Sequence, residues 1–298
     1  MGIVFDEKLD LFHLETEHTS YVIGLADKRT YVGHVYYGKR IRLQDMRYLL
    51  RIGEPPYVPS ENNRERCSFY DTFPFEYSGN GVGDYRESAI AVTTVEGQHA
   101  ILPTYVSYGI TKEKPLLAGL PSSFDRDKNA ETLIIHCTDS VLNVNVDLYY
   151  TVFEDTDMIT RSVHICNQDE KPIYLTKALS ACLDMDDNDY EMLTLHGSWA
   201  RERQMDRRAI GYGKTSVGSI KGESSHQEHP FMAWMTKNAT QTTGEVYAMH
   251  FIYSGNFIAQ LEKSQFDSIR AVMGIHPADF GWKLESGDAF DTPEVVLT

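Results

Sequence analysis

Residues 141–153, VLNVNVDLYYTVF, show the chain's basic pattern: Val144, Val146, Leu148, Tyr150 and Val152 alternate with Asn143, Asn145, Asp147 and Thr151. Successive side chains of an extended strand point to opposite faces, so this period of two predicts a strand with one face buried and one wet. β-Branched or aromatic runs recur at residues 20–25, 31–37, 88–95, 100–106, 132–138, 158–166, 173–181, 190–196, 244–253, 256–262 and 268–275. Polar, Gly- or Pro-containing connections separate most of them, which predicts antiparallel sheets packed face to face, an all-β sandwich. Two connections exceed the short turns of such a fold: residues 51–80, with Pro55-Pro56 and Pro59, and residues 199–230. Long ordered connections usually carry function or an interface. No repeat, low-complexity tract or charged linker divides the chain, so residues 1–298 are read as one large β domain.

Composition narrows the functional classes. Hydrophobic residues make up 42% and charged residues 24%, ordinary globular values that leave no room for a dominant disordered region. A formal net charge of -15, with no Lys/Arg stripe to reverse it locally, argues against a nucleic-acid partner. No run approaches the ~20 apolar residues of a membrane span. Acids occupy the first residues where a secretory leader would be basic and then apolar, so a cytoplasmic protein is expected and no membrane partner.

Candidate metal and redox chemistry is sparse. Cys67, Cys137, Cys166 and Cys182 are widely spaced and the last three lie in apolar, strand-like segments, which predicts buried thiols. His226-Gln227-Glu228-His229 misplaces the glutamate of a zinc-protease motif and is followed by Pro230. The acidic stretch 184–189 lacks the glycine at its sixth position and the glutamate at its twelfth, Leu195, that a calcium loop needs; a solvated turn is expected there. Arg201, Arg203, Arg207 and Arg208, mixed with Glu202 and Asp206, read as an exposed, ion-paired segment.

A series of ordered motifs then points further. Phe12-His13-Leu14, Ser20-Tyr21-Val22 and Gly33-His34-Val35-Tyr36-Tyr37-Gly38-Lys39 are followed by Asp71-Thr72, Glu76-Tyr77, Gly83-Asp84-Tyr85-Arg86 and Gly119-Leu120-Pro121. Next come Gly197-Ser198-Trp199-Ala200-Arg201-Glu202-Arg203, Gly222-Glu223-Ser224-Ser225-His226-Gln227, His229-Pro230-Phe231 and Gly244-Glu245-Val246-Tyr247. Tyr253-Ser254-Gly255-Asn256-Phe257, Gln265-Phe266-Asp267, Gly274-Ile275 and Phe290-Asp291-Thr292-Pro293-Glu294 complete the series. Over nearly its whole length the chain resembles the amino-terminal region of bacterial family 36 α-galactosidases.

The resemblance implies a large antiparallel β-supersandwich of the galactose-mutarotase-like type, with a catalytic (β/α)8 barrel following after residue 298. It implies a parent enzyme that hydrolyses terminal α-galactosyl residues of melibiose- or raffinose-type oligosaccharides with retention, using two aspartates expected beyond Thr298, so no catalytic residue is expected within this chain. No cofactor or metal is called for. Relatives are commonly tetramers in which this domain reaches a neighbour's active-site mouth, so a homo-oligomer is expected. Three positions inherit a substrate-binding role from the resemblance: Trp199 as an aromatic wall, Glu54 where relatives use an aspartate, and Arg66 as a guanidinium donor, which could instead pair with Asp71. A core or interface role is the alternative for Trp199, and a solvated loop for Glu54. Gly83-Asp84-Tyr85-Arg86 and residues 224–231 are expected to hold loops and subunit contacts. Two other functions are weighed. One is a stand-alone carbohydrate-binding module; the other is a sugar mutarotase, in which His226 with Glu228, or His250, would converge in one cleft.

Overall fold

The computed structural model describes residues 2–50, 69–126 and 129–298. The chain opens with a meander of four strands, β1 (Gly2–Asp6), β2 (Leu11–Glu15), β3 (Thr19–Ala26) and β4 (Tyr31–Lys39), each antiparallel to the next. Then follow β5 (Ile90–Thr94), β6 (Thr104–Thr111), β7 (Glu131–Asp139), β8 (Val144–Phe153), β9 (Met158–Asn167) and β10 (Ile173–Asp186). The remaining strands are β11 (Tyr190–Ser198), β12 (Arg201–Ala209), β13 (Gly213–Ser219), β14 (Glu228–Thr236), β15 (Val246–Ile252), β16 (Phe257–Lys263) and β17 (Ser268–Ile275). Three short strands, β18 (Trp282–Leu284), β19 (Ala289–Asp291) and β20 (Glu294–Leu297), end the chain.

These strands form two further antiparallel sheets. One has the order β13-β16-β17-β10-β18 with β5 also on β10; the other runs β12-β11-β14-β15-β20-β9-β8-β7-β6 with β19 on β9. Between them lies the main core. Every inward position of β8 anticipated from the alternation is buried: Val144, Val146, Leu148, Tyr150 and Val152. Thr151, on the other face, is buried too, because its hydroxyl pairs with that of Thr132 at 2.8 Å across β7.

The amino-terminal meander is covered on both sides. Phe12, Leu14, Tyr21 and Ile23 face the main core, while Leu11, Val22, Tyr31 and Val35 face a second cluster built on Phe73 and Phe75. Gly33 permits this close approach: a Cβ there would lie 2.7 Å from both Leu50 Cδ2 and Phe73 Cζ. Residues 69–80 thus return to the fold as packed backbone, with bridges from Phe75 to Gly33 and from Asn80 to Ile101.

Three sequence expectations need correction. Residues 199–230 are not one long loop, since they contain β12 and β13. β12 reads RERQMDRRA and is exposed along nearly its whole length, so no apolar alternation marks it; backbone pairing to β11 defines it. The short β1 and β2 also escaped the pattern. The acidic stretch 184–189 is not simply a solvated turn: Asp184 is buried at the end of β10, and Asp187 pairs with Lys263 at 2.5 Å. Cys137 and Cys182 are buried free thiols as expected, Cys166 is only partly covered, and Cys67 lies outside the described residues.

Two buried charge clusters lock the layers together. In the first, Glu76 accepts from Tyr150 Oη at 2.7 Å and Tyr21 Oη at 2.8 Å, contacts His34 Nδ1 at 2.8 Å, and pairs with Arg161 at 3.2 Å. Burial opposes ionisation of Glu76, yet the Arg161 charge and the His34 contact prevail and hold its carboxyl below the usual range. In the second, Arg270 donates to Asp184 Oδ1 at 2.6 Å and Asp84 Oδ2 at 2.8 Å, and Arg86 donates to Asp84 Oδ1 at 2.8 Å and Asp184 Oδ2 at 3.1 Å. Arg86 also donates to the Phe73 carbonyl at 2.8 Å. The motif Gly83-Asp84-Tyr85-Arg86 therefore ties its loop to β10 and β17.

Candidate functional surface

Of the three substrate-binding residues expected from the sequence, the β11–β12 hairpin carries the one that lies among the described residues. Ser198 pairs with Arg201, leaving Trp199 and Ala200 as a two-residue turn. Ala200 takes a left-handed φ of 63°, and its N–H donates to Glu202 Oε1 at 2.8 Å. Just before the turn, a Cβ on Gly197 would meet the Arg201 carbonyl at 2.3 Å and the His226 carbonyl at 3.0 Å, so only glycine lets the hairpin close against residues 226–227. These constraints present Trp199 at the tip with 85% of its surface exposed. A core role for Trp199 in this chain is thereby excluded. Glu54 and Arg66 lie outside the described residues.

Around the base of the hairpin the registers gather polar side chains from distant sequence. Glu228 sits opposite His196 across β11 and β14, and its carboxylate meets His196 Nδ1 at 2.8 Å, while Thr194 Oγ1 approaches His196 Nε2 at 2.6 Å. His229 and His250 face each other with ring centroids 5.5 Å apart, and Phe231 lies edge-on to His250 at 6.1 Å. Burial and the charge of Arg203 push His250 below its ordinary pKa; His229 is lowered by burial, His250 and Arg203. Both imidazoles are therefore neutral donors or acceptors near neutral pH. Sequence reasoning had paired Glu228 with His226; cross-strand register, invisible along the sequence, pairs it with His196 instead. Arg201, Arg203 and Arg207 of β12 are exposed as expected while Arg208 is half-buried, and Arg207 bonds to Glu191 and to the Ala239 carbonyl at 2.8 Å.

Chemically this surface offers an indole face, guanidinium groups and neutral imidazoles, a set suited to stacking on and hydrogen-bonding polyhydroxylated molecules. Carboxylates elsewhere are committed within the fold, to cations or, for buried Asp139, to the backbone N–H groups of Leu102, Val141 and Leu142. Glu294 pairs with Lys114 at 2.6 Å, and burial of Glu87 is outweighed by hydrogen bonds from Lys177 and Lys214 that hold it at about 2. No group of three or more metal-ligating side chains occurs among the described residues, and no described helix is long and apolar enough to cross a membrane.

Fold and surface together define the class: a large antiparallel β-supersandwich domain with an aromatic-tipped edge hairpin. Residues 30–285 match the Glycosyl hydrolase family 36 N-terminal domain, and the chain belongs to that family. It is 38% identical to Alpha-galactosidase AgaA of Geobacillus stearothermophilus, covering 100% of this chain and 41% of that relative. It is 36% identical to Alpha-galactosidase 1 of Pediococcus pentosaceus, covering 99% of this chain and 40% of the relative. The crystal structure of the family 36 α-galactosidase AgaB from Geobacillus stearothermophilus superposes with a TM-score of 0.94 at 37% identity, covering 100% of this chain and 41% of that one. A substituted AgaA from the same organism, solved in complex with raffinose, gives 0.93 at 38% identity over 97% of this chain and 40% of that one. The chain thus spans about two fifths of the length of these relatives.

Proposed function

We propose that this chain serves as the amino-terminal domain of a retaining α-galactosidase, a glycoside hydrolase that releases terminal α-galactosyl residues from raffinose- or melibiose-type oligosaccharides. The observation that carries this reading is the correspondence of the whole chain with one part of several α-galactosidases, one of them solved with raffinose. In this reading residues 1–298 are one domain, and the catalytic aspartates reside in a barrel that follows it. The domain assembles the enzyme as a homo-oligomer, a tetramer, and supplies Trp199, with Glu54 and Arg66, to the substrate pocket of a neighbouring subunit. The exposed position of Trp199 at the tip of a hairpin closely packed at Gly197 supports that role. A cytoplasmic location is part of the proposal, and the free thiols of Cys137, Cys166 and Cys182 support it.

Hydrolysis of p-nitrophenyl α-galactoside tests the reading. The chain of residues 1–298 should release no p-nitrophenol above buffer, whereas the protein continued through the downstream reading frame should hydrolyse both this substrate and raffinose. Turnover by the purified chain alone, or a longer protein inactive on both substrates, would overturn it.

A further inference from the structure

Across the outer face of the ten-stranded sheet, four strands place imidazoles and carboxylates in strict alternation. His136 on β7 stands opposite Asp147 on β8, Asp147 opposite His164 on β9, and His164 opposite Asp291 on β19. His136 Nδ1 meets Asp147 Oδ1 at 2.8 Å, and His164 Nδ1 meets Asp291 Oδ1 at 2.7 Å. All four side chains are partly exposed, so protons reach them. The last member lies on β19, which is three residues long and strand-pairs with β9; Phe290 also packs on Phe280 and Trp282, and Thr292 just beyond it bonds to Val163, so His164–Asp291 is one of several ties on this strand.

We propose that this row is a proton-operated clamp on β19. With His164 protonated, Asp291 holds the imidazolium directly while Asp147, itself bonded to His136, adds its charge from β8, and β19 is held on β9. With His164 neutral, two carboxylates flank an uncharged ring, the ion pair with Asp291 is reduced to a hydrogen bond from the neutral Nδ1–H, and β19 opens locally from the sheet more readily. Because β19 runs into β20, that opening lengthens the free connection ahead of Glu294.

The groups around His164 support this polarity. Asp147 and Tyr149 face it from β8, Asp291 from β19 and Cys166 from its own strand, with His136 beyond Asp147; Glu285 and Asp288 lie in the turn before β19. The hydrogen bond to Asp291 raises His164 above its ordinary value against the opposing effect of burial, and the charges of Asp291 and Asp147 add to the rise. Tyr149 is raised by burial and then by the same two carboxylates, so both fields converge here. A histidine raised on folding stabilises fully below its unfolded value, and that stabilisation is lost as pH rises through the folded value. The clamp is therefore tighter in mild acid and looser in mild alkali.

Hydrogen exchange of the folded chain at about pH 6 and about pH 8, corrected for intrinsic exchange rates, reads the clamp directly. Protection of residues 285–292 should fall roughly threefold to tenfold relative to β8 between the two conditions. His164→Gln and Asp291→Asn should each flatten that dependence while leaving β8 protection unchanged. Titration of the imidazoles in the unsubstituted chain is the second measurement: His164 should titrate above 6.5, its ordinary value. A pH-independent protection ratio, or a His164 midpoint at or below that value, would overturn the proposal. The readout comes from this chain alone and does not depend on whether the parent enzyme hydrolyses α-galactosides.

Discussion

The Glu76 cluster and the β11–β12 hairpin use the same side-chain chemistry to opposite ends. Around Glu76, one carboxylate, one guanidinium, two phenols and an imidazole are sealed between the amino-terminal meander and β8–β9, and each polar group finds a partner inside the fold. On β12, six charged side chains, Arg201, Glu202, Arg203, Asp206, Arg207 and Arg208, are spread along an edge strand open to solvent. Water replaces any partner lost from β12, whereas nothing replaces Arg161 beside Glu76. A charge inside the sandwich therefore specifies how layers meet, and a charge on the edge remains free to meet something else.

The largest expected effect falls on the buried side of this comparison. Arg161→Ala leaves Glu76 charged and enclosed, and should cost about 3–5 kcal/mol in urea unfolding. A loss below about 1 kcal/mol would show that the cluster is not sealed as the geometry indicates.

Acid sharpens the same contrast. Asp84 and Glu87 are held below their ordinary values by Arg270, Arg86 and the two lysines, against the effect of burial. Depressed carboxylates stabilise above the unfolded value and lose that contribution as pH falls through the folded one, so stability should decline from about pH 5 downward, the Glu87 share persisting to about pH 2. Glu87→Gln should remove on the order of 1–3 kcal/mol of stability at neutral pH and reduce the acid slope, measured by urea midpoints across the pH range.

On the exposed side the effects shrink. Glu191→Ala removes the carboxylate from Arg207, which keeps its bonds to the Ala239, Thr236 and Lys237 carbonyls, and should cost at most about 1 kcal/mol. A larger loss would mean that the hairpin is part of the structural frame.

Trp199→Ala is the smallest in stability and the most informative in function. With the indole largely in solvent, thermal unfolding of the chain should change by no more than about 0.5 kcal/mol. In the full enzyme of the proposed function, losing one stacking wall should lower kcat/KM for raffinose roughly tenfold to a hundredfold. Unchanged efficiency would remove Trp199 from the substrate pocket.

The sandwich was legible in the sequence wherever one strand face is dry. Val144 to Val152 announced β8 because burial on one side enforces a period of two, and the ordered motifs from Phe12 to Glu294 carried the family. The net charge of -15 also argued against a nucleic-acid partner. Strands wet on both faces left no such mark: β12 exists because β11 offers it backbone partners, and no residue pattern records that offer. Tertiary structure likewise decided which charges are buried. Asp184 and Asp187 stand three residues apart in one acidic run, yet the first closes a quartet with arginines from a loop and β17, while the second caps Lys263 nearer the surface. It also decided that Glu228 meets His196 and that His136, Asp147, His164 and Asp291 form a row. Partners separated by tens of residues are set by strand register, a property of the assembled sheet that local sequence does not encode.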